Sequence, residues 1–236
     1  MGRSKKAWSV ASVSRTSRLS GTGSGEGLQS EARFKYARKL ARALGSMRLF
    51  TAIDLPPDML LRLERLIIAL RPEALINWSP LDNLHITTKF IGEWPESRLP
   101  ELHAALGTLT SRPCFEVEIA GMGWFPTERA PRVLWVGVEA GEALPELAQA
   151  TEKCLQTLGV AKEERKYSPH LTLARVKHQV PLGQLRRKLA DLGRVSLGTF
   201  AATGFALYRS EPGSNASIYR KLQEYQFESS GLAANI

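Results

Sequence analysis

DNLHITTKFIGE (Asp82–Glu93) and YSPHLTLARV (Tyr167–Val176) are the two stretches from which the rest of this chain is read. Each sets a His-x-Thr triplet among β-branched and apolar residues, the composition of a strand. Side chains of a strand alternate between its faces, so His85 and Thr87 share one face while Ile86 and Thr88 share the other. Lys89 has the same parity as His85. In the second stretch His170 and Thr172 share a face, and Leu171 and Leu173 enter the opposite, apolar layer. Each strand then presents an imidazole and, one pleat on, a hydroxyl, roughly 7 Å apart in backbone rise.

Working outward, both motifs sit inside the same succession of elements. Before His85 come a strand at Arg48–Asp54, the boundary Pro56–Pro57, and a helix over Asp58–Arg71 with an apolar face through Leu61 and Ile68. After it come a helix around Glu96–Leu109 and a strand at Phe115–Phe125. Before His170 come a strand at Val133–Glu139 and a helix at Glu142–Leu158. A helix at Pro181–Leu192 follows, then a long strand at Val195–Tyr208 that its glycines can bend, and a last strand near Ser217–Glu224. The two opening strands start about 85 residues apart, the same interval that separates His85 from His170. This order predicts an α+β fold of two pseudo-symmetric lobes. Each is an antiparallel-rich sheet with helices on its outer face, and the two flank a central cleft with one His-x-Thr motif apiece.

Charge and composition narrow the function. The chain has 236 residues and a formal charge of +9. Residues 1–46 hold 10 Lys/Arg against 2 Asp/Glu, leaving 22 against 21 for the remaining 190. The basic character therefore belongs to a Ser/Gly/Arg-rich stretch, read as a flexible N-terminal extension, and the bilobal domain is assigned to 47–236. The extension resembles an organelle transit peptide in composition, but Met47 as the natural start is the simpler expectation. No apolar run is long enough for a membrane span, so no membrane partner is expected. Cys114 and Cys154 stand alone, without CxxC or a His/Cys cluster, which excludes a disulfide framework and a structural zinc site and fits a reducing cytoplasm. GTGSGEG lacks the GK[ST] ending of a P-loop, so triphosphate binding is unsupported.

Two histidines on facing strands suit metal-free phosphoryl chemistry. Opening a cyclic phosphodiester in line requires one neutral imidazole to take a proton from water and one protonated imidazole to supply the leaving alkoxide. Histidine, with an ordinary pKa of about 6.5, can fill both positions near neutrality. Threonine hydroxyls can donate to the non-bridging oxygens, and Lys89 or Arg175 can add positive charge. Simple alternation turns Arg175 away from His170, so it needs a distortion of the strand to reach the cleft. Trp124, Phe125 and Trp135 are expected in the core before any base-stacking role, and His103 and His178 on the surface.

On these motifs the sequence resembles the 2H phosphoesterase superfamily, specifically its bacterial and archaeal RNA 2′,3′-cyclic phosphodiesterases, also called 2′-5′ RNA ligases. RLFTAIDLP (Arg48–Pro56), GMGWFP (Gly121–Pro126) and PRVLWVGV (Pro131–Val138) carry the resemblance further, over about Met47–Gln226. It implies hydrolysis of RNA or nucleoside 2′,3′-cyclic phosphates to 2′-phosphates with no cofactor and no metal. His85 would be the proton donor and His170 the proton acceptor. Thr87, Thr172 and Arg175 would hold the phosphate. Apart from the resemblance, Phe50 and Lys89 are candidate substrate contacts, with a core aromatic and an exposed strand lysine as the plainer readings. RNA joining would be the reverse reaction, unaided by ATP, and the protein is expected to be a monomer. Two alternatives stay open: turnover of another cyclic phosphate or a 2′-5′ oligonucleotide, and a non-catalytic module that only holds RNA ends.

Overall fold

The computed structural model describes residues 45–214 and 216–228. The expectations for residues 1–44 lie outside that range. Nine strands and four helices alternate along it. β1 (Ser46–Ile53) leads into α1 (Pro57–Leu70) and the short β2 (Asn77–Trp78). Then come β3 (Ile86–Pro95), α2 (Leu99–Gly107), β4 (Phe115–Phe125) and β5 (Val133–Glu139). α3 (Ala143–Thr157), β6 (His170–Arg175) and α4 (Gly183–Leu192) follow, and β7 (Ser196–Ala202), β8 (Gly204–Pro212) and β9 (Ser217–Gln226) close the chain.

The strands form two antiparallel sheets, one in the order β3-β1-β8-β9 and one in the order β2-β6-β5-β4-β7. The α+β, two-lobed expectation holds, with one refinement. The lobes are not the two halves of the chain. β8 and β9 from the second half complete the His85 sheet, and β2 and β4 from the first half join the His170 sheet. The helices cross as well: α1 packs against β7 and α3 against β3. The predicted long strand at 195–208 is two strands, β7 in one sheet and β8 in the other, with the break at Thr203. Each sheet is thus finished by chain from the other half, which ties the lobes together at several points.

α1 begins at Pro57, where a missing N–H costs nothing, and Asp58 in its first turn complements the helix dipole. It buries Met59, Leu63, Leu66, Ile67 and Leu70. This is a different face from the predicted one: Leu61 and Ile68 are 54% and 60% exposed. In α3, Leu144, Leu147, Ala148, Thr151 and Leu155 face inward. The apolar sides of both sheets meet these helices. Leu49 and Ile53 on β1, Leu134 and Val136 on β5, and Leu171 and Leu173 on β6 are all essentially inaccessible. Full burial of such a side chain is worth about 1.5–3 kcal/mol, so the apolar face of every central strand is firmly specified. The opposite faces of β1, β3, β5 and β6 are left to line the cleft.

Candidate active site

Alternation holds through each His-x-Thr triplet and then breaks at the same place in both strands. On β3, Thr87 lies opposite Ala52 and Lys89 opposite Thr51, so Thr88 is an extra residue. On β6, Thr172 lies opposite Trp135 and Ala174 opposite Leu134, so Leu173 is extra. A bulge of this kind turns two successive side chains to one side. Thr88 and Lys89 are both buried, as are Leu173 and Ala174, and the next residue returns to the cleft face. That residue is Phe90 on β3 and Arg175 on β6. The bulge is the distortion that Arg175 required. It also overturns the expectation for Lys89, whose ammonium is 2.6 Å from Glu152 on α3 and donates to the Ala161 carbonyl. Lys89 is 7% exposed and braces the back of the sheet, away from any substrate.

Both imidazoles are oriented by a backbone group two residues upstream. His170 Nδ1 lies 2.8 Å from the Ser168 carbonyl, and Asn83 provides the matching hydrogen bond for His85. For His170 this makes Nδ1 the donor and leaves Nε2 available to take a proton.

The surroundings differ. Phe50 lies 4.8 Å from His85 and stacks on Tyr208 at 5.3 Å, while Tyr219 meets the His85 ring edge-on at 5.1 Å. Phe50 itself is 2% exposed, so it underlies His85 and leaves little surface for substrate, contrary to its predicted contact role. A pocket of about 220 Å³ opens beside His85, and within it the Asp54 carboxylate accepts from the Tyr208 hydroxyl and pairs with Lys221 at 2.7 Å. A larger hollow of about 600 Å³, between Arg62, Arg65 and Ser196–Gly198, touches neither histidine. His170 meets the edge of Phe125 at 4.9 Å, and Phe125 packs on Trp135 at 5.1 Å. These two aromatics, expected in the core, line the cleft. Gly123 makes room for them, since a Cβ there would lie 2.3 Å from the Trp135 ring. His178 is exposed as expected, whereas His103 is half-buried and hydrogen-bonded to Tyr225 at 2.7 Å.

Burial pulls the His85 pKa down to about 4 against the opposing effects of the Asn83 backbone and the Asp54 carboxylate, and the charges of Arg175 and His170 lower it by less. His170 is lowered too, first by burial and then by Arg175. The positive charge of one arginine therefore bears on both imidazoles. Among the described residues no group of three or more His, Cys, Asp or Glu side chains is set to hold a metal. Phe90 is the cleft residue that sequence reasoning passed over. It is 58% exposed, 6.1 Å from Phe50, and occupies the position on β3 that Arg175 occupies on β6.

Two imidazole–threonine pairs on twin strands, with a cation common to both, define a two-histidine phosphoesterase. The relatives carry this further. A family model described as the 2′-5′ RNA ligase superfamily matches residues 56–213, and the chain belongs to that superfamily. The chain is 34% identical to a protein from Aeropyrum pernix named RNA 2′,3′-cyclic phosphodiesterase, over 64% of this chain and 85% of that one. A protein of the same name from Methanocaldococcus jannaschii is 32% identical over 76% of this chain and all of its own length. Among solved structures, one from Thermus thermophilus superposes with a TM-score of 0.67 at 29% identity, covering 78% of this chain and 100% of that chain. E. coli LigT complexed with 3′-AMP gives 0.62 at 25% identity, covering 78% and 99%.

Proposed function

We propose that this protein hydrolyses 2′,3′-cyclic phosphates on RNA ends or nucleosides to 2′-phosphates by acid–base catalysis between its two histidines. The observation that carries the reading is the influence of Arg175 on both His85 and His170, at strands whose bulges aim it into the cleft. Support comes from relatives named for this activity and from a neighbouring fold solved with a nucleoside monophosphate.

In this mechanism Thr87, Thr172 and Arg175 hold the non-bridging oxygens, stabilising charge that grows on them as water adds. His170 Nε2 takes the proton from the attacking water, its ring fixed by the Ser168 carbonyl. His85 gives a proton to the departing 3′-oxygen on the opposite side. In the free protein both imidazoles are neutral at pH 7, because burial outweighs the groups that favour the cation. A bound phosphodiester brings a negative charge between them and raises both pKa values, so the acid is charged as the substrate binds. Phe90 offers a free aromatic face to a base beside the phosphate. With a 5′-hydroxyl in the place of water, the same steps open the cyclic phosphate into a 2′-5′ linkage without ATP: His170 takes the hydroxyl proton and His85 protonates the departing 3′-oxygen.

The test is incubation with each 2′,3′-cyclic nucleotide in the presence of a chelator, followed by identification of the product. Full turnover to the 2′-phosphate is expected. Release of the 3′-phosphate contradicts the acid and base assignment, and no turnover of any of the four contradicts the function.

A further inference from the structure

The two threonine carbonyls have an arrangement that the mechanism does not use. The Thr87 carbonyl accepts a hydrogen bond from the Tyr167 hydroxyl at 3.0 Å, and the Thr172 carbonyl accepts one from the Ser79 hydroxyl at 2.7 Å. Tyr167 lies three residues before His170, and Ser79 six residues before His85. Each motif's threonine is therefore held by a side chain from the approach to the other motif. Tyr167 reaches the outer strand of the His85 sheet, and Ser79, directly after β2, keeps the chain that leads to His85 against β6. The places are suited to it. β3 is the outer strand of its sheet, β6 has only the two-residue β2 beyond it, and both carbonyls adjoin a bulge where the ladder is interrupted.

The contacts around each hydroxyl reinforce the tie. The Ser79 N–H donates to the Leu173 carbonyl at 2.8 Å, so both polar groups of Ser79 follow the β6 bulge. On the other side the Tyr167 loop is fastened to the His85 lobe by Lys89, which reaches the Ala161 carbonyl, and by Glu152, which accepts from the Glu163 N–H at 3.2 Å. Burial drives the Tyr167 phenol far above its ordinary pKa, so its hydroxyl remains a donor throughout the working pH range. The next residue is Ser168, whose carbonyl orients His170. The register of that carbonyl is thus set against the backbone of Thr87 in the opposing lobe.

We propose that Ser79 and Tyr167 are reciprocal positioning residues that fix the separation of the two His-x-Thr motifs. They touch no substrate. They hold the two halves of one site at the spacing that an in-line displacement requires, where a displacement of about 1 Å can cost 10²-fold in rate. The inference rests on the cyclic-phosphate reading, and wild-type turnover in the same assay separates the two: an inert wild type removes the reading itself.

The experiment compares Ser79→Ala, Ser79→Thr and Tyr167→Phe in the full chain on 2′,3′-cyclic AMP. It follows kcat and KM separately, with thermal melting alongside. Ser79→Ala and Tyr167→Phe are expected to lower kcat about 10-fold or more with KM changed less than about 3-fold. Melting is expected to fall by only about 2–4 °C, the effect of one hydrogen bond in a domain of this size. Ser79→Thr keeps the hydroxyl and restores kcat. The proposal is overturned by an active wild type whose Ser79→Ala and Tyr167→Phe variants keep kcat within 2-fold. A kcat loss in Ser79→Ala that Ser79→Thr leaves unrepaired overturns it equally.

Discussion

His85, directly before β3, and His170, the first residue of β6, hold matching places in their motifs, yet their lobes treat them differently. In one lobe His85 stands in an aromatic enclosure of Phe50, Tyr208 and Tyr219, with Asp54 among the charges it feels. In the other, His170 has one aromatic edge from Phe125 and feels Arg175. The bulge delivers Phe90 to the first lobe and Arg175 to the second. A repeated backbone thus fixes where two imidazoles stand, and in the proposed mechanism the unlike side chains around them divide the work into acid and base.

The division is broken most severely by removing either imidazole. His85→Ala and His170→Ala are each expected to reduce kcat by about 10²–10⁴-fold. The double variant should be little worse than the poorer single one, because acid and base act as a unit. Multiplicative losses in single-turnover measurements would contradict a shared step.

Exchanging the bulge residues sharpens the comparison. Arg175→Gln removes a cation that lowers both histidines, so their pKa values must rise. The optimum of kcat/KM should lie on the acid side of neutral in the wild type, between about 4, where His85 titrates, and the lowered value of His170. It should move to higher pH in Arg175→Gln, with a loss of about 10- to 100-fold at the optimum. Phe90→Ala should leave the pH profile in place and raise KM for nucleotides by about 5-fold or more, the lower range for losing a base–aromatic stack. A pH–rate series on the three proteins checks both statements.

The buried Lys89–Glu152 pair lies behind the His85 lobe, with side-chain exposures of 6% and 17%. Breaking it from one side strands a charge. Glu152→Gln is therefore expected to destabilise by about 3 kcal/mol at most, given its partial access to water, and Lys89→Met/Glu152→Leu by less than Glu152→Gln alone. Denaturant unfolding of the two variants measures the difference.

How much of this the sequence disclosed follows from which rules are local. The His85/Thr87 and His170/Thr172 pairs were legible because a period of two needs only three consecutive residues. The bulges were not. Neither Thr88 nor Leu173 is a glycine or proline that would advertise one, and parity counted past them sent Lys89 into the cleft and Arg175 out of it. Leu173–Ala174, two apolar residues in succession, was the one available sign. The face of α1 was misread because Leu60, Leu61, Ile67 and Ile68 give it apolar residues nearly all round, and only the packing selects among them. The exchange of β4 and β8 between lobes depends on pairings far apart in sequence, which no local pattern records. Ser79 escaped notice for the same reason, since its partner is 93 residues away.

Titration of the free protein with inorganic phosphate, followed through the imidazole nitrogens of His85 and His170 by NMR, reaches the shared site most directly. Both rings should respond to a single phosphate with one common affinity, and both pKa values should climb on saturation. Two different affinities, or a response confined to one ring, would contradict a single site built from two motifs.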